Sequence, residues 1–312
     1  MSKDIPFALV TEITDPGKHD SAAAREKLDT RPLPKTLHDL RAGAKHYRPD
    51  HKLRLAINTA LAVNAPLLLT GEPGTGKTQV AYYLEWYFDT RVFPFQVRST
   101  STERDLKYDF DAVAYLRYAQ HPGEEPRPRT RSDFMEKQAL WQAYEYREST
   151  PILLIDEIDK APRDFPNDLL LELDQHCFKH PFENQEIRPL FRPPVVIITS
   201  NAERRLPDAF LRRCVLHTIR LDEPLINQAV AARVGDFPRL DEATRQEAIV
   251  RFWDIRRIQG LSKYPSTAEL LTWLAVLSAL EIKASALRHT TRLADLPGLE
   301  VLIKDGDDYQ KL

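Results

Sequence analysis

Cysteine is scarce in this chain. Cys177 and Cys214 are its only two, too few for a disulfide framework, and no Cys/His spacing has the form of a metal site. Both are read as reduced thiols. Long hydrophobic runs are missing as well. The longest strongly apolar window, near Leu270 to Leu280, falls short of the roughly 20 residues that span a bilayer. The first residues, with Pro6, Pro16 and scattered charge, have no apolar core of the signal-peptide kind. Nor is there an excess of charge of either sign: 44 Lys and Arg face 46 Asp and Glu, for a formal net charge of −2. This gives no support to a nucleic-acid footprint over the whole surface, although a local basic groove stays open. These absences predict a soluble cytoplasmic protein without membrane contact.

What remains is ordinary globular composition, 42% hydrophobic and 29% charged over 312 residues. Domains of roughly 100–200 residues make one large and one smaller domain the expectation. Residues 1–36 are polar and proline-punctuated and read as an arm or linker. From Leu37 to about Asn64 the spacing is helical, with Leu53, Ile57, Ala60 and Leu61 in phase and Pro66 past the end. Leu67-Leu68-Leu69 is a short apolar run, followed by a glycine-rich turn and a helical stretch over 78–88. Further apolar runs at 92–97, 151–155, 195–199 and 215–221 read as strands, with helical stretches around Leu140–Tyr144 and Leu169–Leu173. Residues 121–131, carrying Pro122, Pro126 and Pro128, read as a loop. After Pro224 only helical patterns remain, over 241–258 and 266–284. Continuously apolar strands alternating with helices predict a parallel sheet covered on both faces. The change of character places a domain boundary near residue 222.

The chain has only ten glycines, and three fall in Gly71-Glu72-Pro73-Gly74-Thr75-Gly76-Lys77-Thr78. This octapeptide has the form G-x-x-x-x-G-K-[ST] and sits between a strand and a helix, the context in which the pattern is a phosphate-binding loop. Glycines let backbone N–H groups close around phosphate oxygens, and the helix start adds partial positive charge. Lys77 is placed to reach the β- and γ-phosphates and Thr78 to bind Mg²⁺. Gln79, the next residue, completes the nucleotide-binding set. A chance match is expected in about one chain of this length in a hundred. The chain is read as a P-loop nucleoside triphosphatase.

Two further strand ends carry polar groups. Ile152-Leu153-Leu154-Ile155 runs into Asp156 and Glu157. Ligands of open α/β sheets bind outside the carboxyl ends of the strands. Asp156 is therefore the second Mg²⁺ candidate, and Glu157 the candidate base for the attacking water. Asp159 reads as a surface or helix-cap residue. Val195 to Thr199 runs on to Ser200 and Asn201, and the Asn201 amide is suited to orienting a water, or else to a turn. Four arginines follow, Arg204, Arg205, Arg212 and Arg213. They read equally as a solvated helix with salt bridges or as the source of an arginine finger.

GEPGTGKT, LLIDEID, ITSN and LPDAFLRRC, in this order, resemble an AAA+ ATPase of the MoxR class over about residues 38–312. The resemblance implies a P-loop NTPase core, a parallel sheet flanked by helices over residues 37–222, and a C-terminal all-helical lid over 223–312. It implies ATP and Mg²⁺ as cofactors, and a ring homo-oligomer, usually a hexamer, with ATP at subunit interfaces. It also implies remodelling of a protein partner, often one with a von Willebrand factor A-type domain. By the same resemblance Asp156 and Glu157 are the Walker B acids and Asn201 is sensor 1. Arg213 best matches the finger, with Arg212 its close rival. One departure concerns the lid arginine known as sensor 2. Thr267 stands at that position, leaving Arg256 and Arg257 as candidates for the role.

Other classes fit less of the chain. A monomeric P-loop kinase or nucleotide-dependent signalling enzyme would not need the Asn201 strand end or a separate helical lid. A GTPase would be expected to carry an N/T-K-x-D segment, which the sequence lacks. A nucleic-acid motor would need basic or aromatic pore loops. Residues 99–118 hold Arg104, Lys107, Tyr108, Tyr115, Arg117 and Tyr118, and a structural insertion is the preferred reading of that set.

Overall fold

The computed structural model describes residues 10, 20–30, 39–120 and 129–312. Most of the expected arm, and the prolines of the expected loop, Pro122, Pro126 and Pro128, lie outside the described residues. Where the arm is described it includes a helix, Ser21–Asp29, whose first amides are capped by the Asp20 carboxylate. None of its side chains is buried. The helical pattern expected over 37–64 forms two helices, Leu40–Ala44 and His51–Val63. Pro49 lies in the break, and a proline disfavours helical backbone at the residue before it. The second helix starts on Asp50, whose carboxylate accepts from Leu53 N at 2.6 Å, and ends on Asn64 in the left-handed region.

The chain forms two compact units. One comprises Pro49–Glu72 and Lys77–Arg220, the other the residues up to Arg48, Pro73–Gly76 and Leu221–Leu312. The first unit carries the strands β1 (Leu67–Thr70), β2 (Val92–Gln96), β3 (Tyr108–Phe110), β4 (Met135–Lys137), β5 (Ile152–Asp156), β6 (Phe178–Lys179), β7 (Glu186–Ile187), β8 (Val195–Ser200) and β9 (Val215–Thr218). Five of them form one parallel sheet in the order β2-β5-β8-β1-β9. The central strands are buried almost throughout, as expected when both faces are covered by helices. Leu68, Leu153, Ile155 and Ile198 are fully buried in one core with Trp141, Tyr144, Phe165 and Phe210, each such aliphatic contributing about 1.5–3 kcal/mol. Pro94 is tolerated because β2 is an edge strand. At the other edge β9 ends at Thr218, shorter than the run over 215–221 suggested.

The stretch read as an insertion, residues 99–118, is built of short elements that pair with a segment near residue 135. A short helix, Glu103–Lys107, leads into β3, which pairs antiparallel with β4 across the helix Ala112–Gln120. Its tyrosines pack inward: the Tyr115 and Tyr118 rings lie 5.6 and 5.5 Å from Phe134. Lys107 is held 3.0 Å from the buried Glu172.

The second unit is helical after residue 221, with helices Glu223–Ala232, Glu242–Arg256, Thr267–Ala279 and Ala284–His289 around Phe237, Phe252, Trp273 and Leu287. The helix at Thr267 starts on a capping box made by Ser266 and Glu269. Buried Asp308 accepts from the Ser262 and Lys263 amides and from Lys311, tying the chain's last turn to the loop before that helix. Among the described residues no helix is long and apolar enough to cross a membrane.

Candidate active site

The strand register brings the singled-out residues together. Leu69 pairs with Thr199 and Ile155 with Ile198, so β1, β5 and β8 finish side by side. The glycine-rich loop follows β1, the two acids end β5, and Asn201 follows β8. Helix Lys77–Phe88 starts directly from the loop, whose Gly74 and Gly76 have φ of 74° and 89°. Side chains rarely adopt these values.

Lys77 is buried, and its ammonium donates to the Gly71 and Glu72 carbonyls of the loop, both at 2.8 Å. Burial pulls its pKa below the ordinary lysine value. The negative charges of Asp159, Asp156, Glu157 and Glu72 oppose that pull. Thr78 Oγ1 donates to Asp156 Oδ1 at 2.9 Å, so hydroxyl and carboxylate converge on one point. A buried ammonium and this hydroxyl–carboxylate pair are groups that a nucleoside triphosphate with Mg²⁺ requires. Mg²⁺ commonly takes one or two protein oxygens beside phosphate and water. The residues present fit both groups.

Glu157 has left-handed backbone, φ 60° and ψ 51°, which turns its side chain out of the strand direction. Its carboxylate accepts from Gln96 Nε2 at 2.7 Å, Lys160 Nζ at 2.5 Å and Asn201 Nδ2 at 3.2 Å. The hydrogen bond to Glu157 raises the Lys160 pKa above its ordinary value. Glu157 and Asn201, proposed from sequence to share a water, are thus in direct reach of each other.

Sequence reasoning missed four contributors. Thr199, fully buried, donates to Asp156 Oδ1 at 2.6 Å and accepts from Glu157 N at 2.8 Å. Gln96 stands at the end of β2 in register with Asp156. Both are polar residues closing an apolar run, and that signal was available. Lys160 showed none beyond its i+3 spacing from Glu157. Asp159, expected at the surface or as a helix cap, is buried at 3% exposure and accepts from the Asn201 and Glu203 amides. The local pattern could not show it, because its partners lie 42 and 44 residues away.

The arginines separate. Arg213 Nε is 2.9 Å from Asp174 Oδ2, and its Nη1 donates to Ala209 O. Arg212 is exposed, and its backbone N–H donates to Asp208 O at 3.1 Å. Arg205 pairs with Asp208 at 3.0 Å. In the helical unit, Arg256 donates to Pro265 O at 2.5 Å and lies over the Tyr264, Trp253 and Phe252 rings, while Arg257 pairs with Asp254 at 3.3 Å. Both sensor 2 candidates are therefore engaged within the helical unit itself.

Residues 66–214 match the family model described as the AAA domain, dynein-related subfamily. This segment is thus similar to AAA domains. A search of curated proteins gives no significant match. Among solved structures, a Cytophaga hutchinsonii protein named "putative ATPase" is 15% identical, with a TM-score of 0.38 over 93% of this chain and 87% of its own. NtrX from Brucella abortus in complex with ADP is 16% identical, with a TM-score of 0.44 over 92% of this chain and 63% of its own. The same protein in complex with ATP is 18% identical, with a TM-score of 0.43 over 90% and 65%.

Proposed function

We propose that the AAA-like domain hydrolyses ATP, and that this chain works as a MoxR-like machine that remodels or activates a protein partner. The observation that carries the ATPase reading is the convergence of Lys77, Thr78, Asp156, Glu157 and Asn201 at three adjacent strand ends. In this reading residues 37–222 are the nucleotide-binding domain and residues 223–312 the lid. Gly71 to Gln79 hold the phosphates, with Lys77 supplying a fixed positive charge. Thr78 and Asp156 hold Mg²⁺, which when bound neutralises phosphate charge. Glu157 takes the proton of the attacking water, and Asn201 keeps its carboxylate and that water aligned. The ring assembly, the partner and the finger arginine rest on the motif order GEPGTGKT, LLIDEID, ITSN, LPDAFLRRC.

The test is Glu157→Gln, which keeps size and shape and removes the base. ATP binding should persist while hydrolysis falls by about a hundredfold or more, within the range for loss of a general base. Hydrolysis at the wild-type rate would remove Glu157 from the chemistry. Lys77→Ala should lose nucleotide binding itself, and unchanged binding would sink the phosphate-loop reading. Light scattering of the Glu157→Gln protein with ATP and Mg²⁺ tests the ring: a particle near six subunits supports the machine reading, and a persistent monomer contradicts it.

A further inference from the structure

Asn201 can align a water only if the loop after β8 holds it still, and that loop has an unfavourable backbone. Ala202 sits at φ 60°, a region that residues with a Cβ seldom occupy. Three successive amides here are each fixed by a side chain. Asn201 N donates to both oxygens of Asp159, at 3.2 and 3.1 Å, and Glu203 N donates to Asp159 Oδ2 at 3.0 Å. Ala202 N, between them, donates to Ser200 Oγ at 3.0 Å. Asp159 lies two residues beyond Glu157 on the turn Ile158–Lys160, buried beside Ile158 at 3% exposure. One carboxylate therefore joins the segment carrying the base to the segment carrying the amide that touches it, Asn201 Nδ2 to Glu157 Oε1 at 3.2 Å.

We infer that Asp159 is a positioning residue for ATP hydrolysis: its carboxylate clamps the 201–203 turn and so sets the Asn201 amide against Glu157. The clamp rests on the functional reading above. A carboxylate suits the task because it accepts on both oxygens and offers no proton. An asparagine in its place presents one acceptor, and its NH₂ faces backbone N–H groups. The positive φ at Ala202 then keeps its own bond to Ser200 Oγ but loses the carboxylate that spans the amides on either side of it. Asp159 is also the foremost of the carboxylates whose charge opposes the burial-driven fall in the Lys77 pKa, so the test reads ATP affinity separately from turnover.

The measurement is ATP hydrolysis and ATP affinity for Asp159→Asn, Asn201→Ala and the double variant, with amide hydrogen exchange over 201–205 in the nucleotide-free protein. Asp159→Asn should lower the turnover rate by about tenfold to a hundredfold, the usual scale for losing a residue that orients a catalytic group, with the ATP dissociation constant within about threefold of wild type or tighter. The double variant should be no slower than Asn201→Ala alone, since both act through one amide. Exchange should rise over 201–205 and stay unchanged over β5 and β8. Should Asp159→Asn fail to fold, the comparison is repeated in an Ala202→Gly background, where glycine takes the positive φ without the clamp. Losses that multiply in the double variant, a wild-type rate, or affinity and rate falling together with exchange rising across the whole sheet would each overturn the assignment. If Glu157→Gln kept the wild-type rate the ATPase reading would fall, and the exchange over 201–205 would still decide the clamp.

Discussion

Thr199→Val tests whether one hydroxyl organises the two acids. Valine has nearly the same shape as threonine, so the change removes Oγ1 and little else. That atom is fully buried and serves two partners: it donates to Asp156 Oδ1 at 2.6 Å and accepts from Glu157 N at 2.8 Å. Leaving a buried amide unpaired costs about 1–3 kcal/mol. The Asp156 oxygen loses a charge-assisted donor but keeps Thr78 Oγ1 at 2.9 Å, which places its cost at the low end of about 1.5–3 kcal/mol. The two losses overlap, because both report on one loop, and a total of about 2–3 kcal/mol is expected. For a domain of this size that lowers Tm by about 5–10 °C. Thr199→Ser keeps the hydroxyl and removes a methyl, costing about 1 kcal/mol. Calorimetry should therefore rank wild type above serine above valine. Hydrolysis should follow the same order, since Glu157 needs its amide anchored to hold left-handed backbone. A valine variant as stable as wild type, or more stable than serine, would refute the account.

Arg213→Ala should change stability by no more than about 1 kcal/mol, because its ion pair with Asp174 is exposed on both sides. It should lower hydrolysis more than tenfold, consistent with an arginine finger. Mixing it with Lys77→Ala subunits should restore part of the turnover if the arginine acts on a neighbour. Arg212→Ala should keep most activity, and the reverse order would move the finger to Arg212. In the helical unit, the hydrogen bond from Lys311 and those from the Ser262 and Lys263 amides lower the Asp308 pKa from 3.8 to about 2. A depressed carboxylate stabilises the fold fully above its unfolded value and loses that contribution as pH falls through the folded one. The stability gap between wild type and Asp308→Asn should hold constant from pH 7 to about 5 and narrow toward pH 2. A gap that widens toward acid would contradict this.

The glycine-rich loop between a strand and a helix was legible in the sequence because its residues are contiguous. Three glycines, a lysine and a threonine at fixed spacing must follow a strand and open a helix, and both neighbours were recognisable from apolar runs. The parallel sheet was legible for a related reason, since strands buried on both faces leave unbroken hydrophobic segments such as Ile152–Ile155. The acids and Asn201 were found because a strand end is a local feature. Helix breaks were read less well: the stretch 37–64 is interrupted at Pro49, where periodicity on either side masked the proline. Strand order, and with it the meeting of Asp156, Thr199 and Gln96, came only from folding, because register is set by packing between segments far apart in the chain. The same holds for Asp159, whose sequence neighbours suggest a cap, and for Arg256, whose cage of Phe252, Trp253 and Tyr264 forms only when a helix end and the following loop pack together. The sequence by itself determined which chemical groups this protein has at its strand ends. Tertiary structure decided which of them touch, because a hydrogen bond is sensitive to tenths of an ångström, a precision that residue spacing does not carry.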